Sequence, residues 1–168
     1  MIAHALILFV APLLLAAAAG WDLASFTIPN FLTLTLGVAF VAFALSSGMG
    51  PTDVGAHFLA GGAGLALGFA LFAFRLIGGG DAKLFAAIAL WFGFRDFLEF
   101  ALVASLFGGG LALALLSLRR FPMPAALAGQ NWLARLHDDK SGIPYGVALA
   151  AGALVVLPHA EIFRLAAG

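Results

Sequence analysis

Two aspartates, Asp22 and Asp81, carry the chemistry that this sequence offers. The other acidic residues have ordinary settings. Asp138 and Asp139 lie in a polar stretch beside Lys140, Asp96 and Glu99 flank Arg95 at a helix boundary, Asp53 suits a helix N-cap, and Glu161 has Arg164 close by. Asp22 instead follows Trp21 at the end of an apolar run, with no basic residue near it, and Asp81 ends the run Gly78-Gly79-Gly80 and opens another apolar run. A carboxylate at the edge of a membrane-spanning segment is costly and is usually there for function. A helix start favours a carboxylate, so capping accounts for Asp81; Asp22 sits at a helix end, where the dipole is unfavourable. Lys83 is two positions beyond Asp81, and residues two apart do not face one another on a helix, so it reads as an orientation anchor.

Brought close together, two such carboxylates would share one proton, because like charges a few ångströms apart resist joint ionisation. One could then act as base on a water while the other, protonated, donates to a substrate carbonyl, which is aspartic peptide hydrolysis. Gly78, Gly79 and Gly80 would let an extended substrate backbone approach, since they lack side chains and allow torsions closed to other residues. A small transporter or channel component could also use Asp22 and Asp81, as an ion or proton site. Transport sites tend to lie near the bilayer midplane, whereas both aspartates fall at one edge. A non-enzymatic assembly subunit would leave both without a role.

The elements that must position this pair are membrane helices. Of the 168 residues 64% are hydrophobic and 10% charged, against about 45–50% and about 25% in soluble domains. Such a chain has the bilayer for solvent, and its length suits one domain over residues 1–168. Zero formal net charge gives no sign of a nucleic-acid partner, and the absence of cysteine removes disulfides and thiol chemistry. Four scattered histidines make no metal site, and no cofactor is expected. A hydrocarbon core takes about 20 apolar residues in a helix. Six segments are expected: 2–20, 31–45, 54–77, a short one at 82–94, 97–118 and 143–157. The fold class is therefore an all-α polytopic membrane protein of about six transmembrane helices. The first run ends in a cleavage-like Ala16-Ala17-Ala18-Ala19-Gly20, yet no Lys or Arg precedes it, so a removable signal peptide is not expected. Residues 125–136 read equally as a short interfacial helix or a loose connection. Gly64 and Gly68, four apart, make a small-residue face for close helix packing.

Basic residues orient the bundle. With six spans, Arg75, Lys83, Arg119, Arg120, Arg135 and Lys140 fall on one side and only Arg95 and Arg164 on the other. Lys and Arg collect in cytoplasmic loops, which puts 21–30, 78–81 and 119–142 in the cytoplasm. If the fourth segment did not span, the bias would vanish.

These residues resemble a known family. Trp21-Asp22 followed by Ile28-Pro29-Asn30, then Gly78-Gly79-Gly80-Asp81-Ala82-Lys83-Leu84, is similar to the two motifs of the type IV prepilin peptidases, an Asp upstream of Ile-Pro-Asn and a second Asp in Gly-x-Gly-Asp. Ile143-Pro144-Tyr145-Gly146, opening the last helix, is similar to small members of that family. The resemblance implies a six-helix aspartic peptidase of the bacterial inner membrane with Asp22 and Asp81 catalytic. It would face the cytoplasm and remove the short basic leader of prepilins and pseudopilins just before their hydrophobic helix, in the setting of a pilus assembly machinery. Larger members carry an insertion with paired Cys-x-x-Cys motifs and methylate the new N-terminus. This chain has neither cysteine nor room for that insertion between residues 21 and 30, so methyltransferase activity is not implied. It resembles the compact, peptidase-only enzymes of Tad/Flp-type pili. The two aspartates would approach one another by movement of the fourth helix.

Overall fold

A computed structural model describes residues 2–123 and 129–167, and no strand occurs among them. Helix α1 runs Ile2–Ser25. Its stretch Leu6–Val10 winds as π-helix just ahead of Pro12, which lacks an N–H for a regular ladder. The helix stops where Phe26 turns left-handed (φ 56°) and donates its N–H to Asp22 O at 2.7 Å. Asp22 therefore lies inside the last turn, one turn deeper in the helix than an end at Gly20 would place it.

Helix α2, Asn30–Ser47, starts after Pro29, whose ring biases Ile28 towards extended backbone, and closes on left-handed Gly48 (φ 71°). Pro51 then opens α3, Pro51–Ala73, from the N-terminal position where a missing N–H is harmless. The N-cap of α3 is Gly50, with Asp53 in the first turn rather than at the cap expected from sequence. Arg75, left-handed at φ 60°, ends this span before the expected Ile77.

The fourth and fifth expected spans form one element, α4, Gly79–Leu118, bent at Gly93 (φ 60°, ψ −172°). Those torsions are open to glycine alone, and a Cβ there would also lie 3.0 Å from the His57 ring. His57 stacks on Phe40 and hydrogen-bonds Leu90 O through Nδ1 at 2.8 Å, so the bend is wedged from α3. Past this bend, Arg95 pairs with Glu161, which the sequence suggested for Arg164; Arg164 donates to His159 O instead.

A short helix α5, Asn131–His137, covers part of the stretch expected at 125–136; residues 125–128 lie outside the described residues. Helix α6, Tyr145–Val156, follows N-cap Pro144 and continues as a 3-10 turn, Leu157–His159, before α7, Glu161–Ala167.

Among the described residues, four helices (α1 to α4) are long and apolar enough to cross a membrane. With α4 folded into two arms and the shorter apolar segment Tyr145–His159, the described residues form six apolar helical segments, as the sequence suggests. This is an all-α polytopic membrane protein. Its outer surface is apolar, with Leu45 81% and Leu106 76% exposed, which only lipid makes favourable. Inside, Phe40, Phe43 and Trp91 pack together, and Trp91 donates Nε1–H to Leu36 O at 3.0 Å, so its polar edge is satisfied in the core.

Small residues set the helix spacing. A Cβ at Gly64 would lie 2.6 Å from Ala89 Cβ, and one at Gly68 3.0 Å from the Ala82 backbone, so α3 and the first arm of α4 touch almost backbone to backbone. On the other side, Gly152 sits against Ala104 and Gly108 against the Tyr145 ring. These contacts bring the starts of α4 and α6 to the same end of the bundle as the finish of α1.

Candidate active site

Three helix ends converge here. Asp22 and Asp81 are buried, at 4% and 6% exposure, and with Thr33 they are the buried polar side chains among the described residues. Asp81 is the third residue of α4, and its Oδ2 accepts the Gly78 N–H at 2.8 Å, the return half of a capping box. Asp22 accepts the Gly146 N–H on its Oδ2 at 2.7 Å, across 124 residues of sequence. The next N–H, of Val147, donates to Pro144 O at 3.2 Å. The two carboxyl groups are close enough for their charges to interact.

The electrostatics of Asp22 follow from this placement. It stands at the unfavourable end of α1 but at the favourable, N-terminal end of α6, whose first N–H groups have no partner in their own helix. The sequence shows the first relation; only the fold shows the second.

Ile28 joins both motifs. A Cβ on Gly80 would lie 3.1 Å from Ile28 N and Cβ, and one on Gly146 would lie 2.6 Å from Ile28 Cδ1. Gly80 is thus filled on its open side by Ile28, whereas Gly78 is exposed and a Cβ on Gly79 would meet the Phe72 ring only at 3.6 Å, ordinary contact distance. Lys83 Nζ donates to Asn30 Oδ1 at 2.9 Å, tying the start of α2 to the start of α4. Sequence reading gave Lys83 an anchoring role only and assigned Ile28, Asn30 and Gly146 no role in the geometry. The available signal was Gly146 in the first turn of a helix, where its poor helix propensity asks for a reason.

Chemically, two buried carboxyl groups, each accepting one backbone N–H at converging helix ends, can divide the work of acid and base. Among the described residues, no three His, Cys, Asp or Glu side chains gather as a metal site.

The chain matches the model of the type IV leader peptidase family over residues 9–113. It belongs to that family. No curated protein gives a significant match, and neither does any solved structure. This type IV leader peptidase carries Asp22, Ile28, the Gly78–Asp81 run and Lys83 inside the matched region, while Gly146 lies outside it. Membership makes the chain a peptidase acting on pilin-type precursors in general, and it answers the choice between peptidase and transporter that the residues left open.

Proposed function

We propose that the chain is an aspartic prepilin peptidase, with Asp22 and Asp81 as the catalytic pair, working as one domain on the cytoplasmic side of the inner membrane. The observation that carries this reading is the burial of both carboxyl groups at converging helix ends, Asp22 on the Gly146 N–H and Asp81 on the Gly78 N–H, in a member of a leader peptidase family.

In this reading the protonated carboxyl donates to the carbonyl oxygen of the scissile bond. The ionised carboxylate takes a proton from a water, whose oxygen bonds to the carbonyl carbon. As the resulting tetrahedral centre collapses, the C–N bond breaks, the departing nitrogen takes up a proton from the pair, and one hydroxyl of the centre gives its proton back as the C=O re-forms, so the pair ends with its one shared proton restored. Gly78 and Gly79, on the rim of the site, would lie along the extended leader. The scissile bond would be the one between leader and hydrophobic helix, and small Tad/Flp-type precursors are the substrates to try first. Support for the cytoplasmic side is the cluster of Lys83, Arg119 and Lys140 at the end of the bundle that holds the pair, with Arg95 at the other.

The test is co-expression with a small prepilin, following the leader by gel shift and N-terminal sequencing. Wild type should cleave, and Asp22→Asn and Asp81→Asn at matched membrane levels should fall by about 10²–10⁴-fold. Cleavage at wild-type rate by either variant would sink the two-aspartate mechanism.

A further inference from the structure

Gly146 has two neighbours of different meaning, the Asp22 carboxyl group and the Ile28 side chain. We infer that Gly146 is a positioning residue of the carboxylate pair: its N–H holds the Asp22 carboxyl group against Asp81, and its lack of a side chain keeps that place free. The inference rests on the peptidase reading and extends it to an element, α6, outside the family match.

Four observations support it. Gly146 is buried, and its N–H donates to Asp22 Oδ2 at 2.7 Å. Ile28, the other neighbour of Gly146, also packs against Gly80, the residue before Asp81, so the two aspartate-bearing segments meet beside Gly146. A Cβ on Gly146 would stand 2.8 Å from Asp22 Oδ2 and 3.0 Å from Asp22 Cγ, inside the space that the carboxyl group fills. Finally, Gly146 is placed by packing remote from the carboxyl groups: α6 is held at Gly152 by the Ala104 backbone and next to Gly146 by Tyr145 on Gly108. The donor is therefore fixed, and the flexible acceptor conforms to it.

This arrangement separates structure from catalysis. The atoms a new methyl would meet are the far ends of two side chains, Asp22 and Ile28, and both can swing aside without moving a helix. Gly146→Ala should fold, lose the hydrogen bond and displace the carboxyl group. Misplacing a reacting group by about 1 Å can lower turnover by about 100-fold.

The experiment has two arms. In the first, the full-length protein in detergent micelles is labelled with carbonyl-¹³C tyrosine and ¹⁵N-glycine. Because the chain has one tyrosine, the Tyr145–Gly146 peptide gives one resolved amide signal. That signal should move on Asp22→Asn, which alters the acceptor; an unmoved signal overturns the inference. In the second, cleavage is measured for wild type, Gly146→Ala and Gly146→Ala with Ile28→Val. The expected result is kcat down about 100-fold with KM unchanged in both variants. The valine removes the Ile28 Cδ1 contact at 2.6 Å but leaves the collision with Asp22. Recovery of kcat in the double variant would show that Gly146 matters for packing alone and overturn the inference. If wild type cleaves no precursor, the peptidase proposal fails by itself, and the amide signal still decides the contact.

Discussion

Asp22 closes one helix and caps another: it lies in the last turn of α1 while its Oδ2 accepts the N–H of Gly146 in the first turn of α6, at 2.7 Å. A carboxylate poorly placed on its own helix is thereby well placed on its neighbour's. The pair thus depends on helix register, and the predictions below concern what fixes it.

The register of α3 against α4 should be intolerant at one glycine and indifferent at another. A Cβ at Gly68 would meet the backbone of Ala82, the residue after Asp81, at 3.0 Å, whereas one at Gly62 meets nothing within 4 Å. Gly68→Ala should destabilise by about 1–3 kcal/mol and reduce cleavage by moving Asp81. Gly62→Ala should leave cleavage intact and stabilise by up to about 1 kcal/mol. Thermal unfolding in detergent beside a cleavage assay checks both, and equal behaviour of the two variants would refute the packing argument.

Arg119 ties down the connection that leads into α6. Its Nε donates to Leu136 O and one terminal nitrogen to Gly142 O, both at 2.9 Å. Arg119→Ala should cost about 1–3 kcal/mol, as hydrogen bonds from a charged group do, and speed tryptic cleavage at Arg135 and Lys140. Arg119→Lys should restore little, because an ammonium cannot span two carbonyls in the guanidinium's planar fork.

Titration separates the site from the surface. A pair that works with one proton between two carboxyl groups loses activity when a second proton binds and when the last one leaves, so kcat/KM should trace a bell against pH whose limbs belong to the pair. Asp138, outside the spans, is held below the ordinary 3.8 chiefly by the Lys140 backbone N–H at 3.0 Å. A depressed native value means that the turn at 138–141 is favoured above pH 3.8 and loses that support as pH falls through the native value. The Lys140 amide shift should titrate with a midpoint below 3.8; a midpoint at or above it would contradict the hydrogen bond.

Metal removal should do nothing. The two-carboxylate scheme needs no Lewis acid, and the described His, Asp and Glu side chains do not gather as a ligand set. Cleavage should be unchanged after chelation and dialysis, and loss of activity restored by added metal would count against the scheme.

Much of this was legible in the sequence because the bilayer makes hydrophobic runs nearly equivalent to helices. Gly64 and Gly68 announced close packing by their spacing, and the two aspartates stood out by lacking the partners that the other acidic residues have. Other features depended on neighbours far along the chain. Nothing near Glu161 indicates Arg95 as its partner, nothing near Lys83 indicates Asn30, and nothing near Gly146 indicates Asp22. The sequence suggests an end at Gly20 because Trp21 and Asp22 look like an exit from the membrane, while the chain stays helical to Ser25 and turns its carboxylate inward.

The bend at Gly93 has a consequence for biogenesis. The arm from Gly79 to Gly93 is shorter than the roughly 20 residues that hold a hydrocarbon core, and it carries Asp81 and Lys83 at its start. A nascent segment of that kind is a poor stop in a translocation channel. It gains a stable place when the longer arm beyond Gly93 follows it and the two enter the lipid as one hairpin. The far end of that hairpin carries Arg95, Asp96 and Glu99 just past Gly93, and the pairing of Arg95 with Glu161 partly neutralises the charge that has to cross the bilayer to complete the insertion.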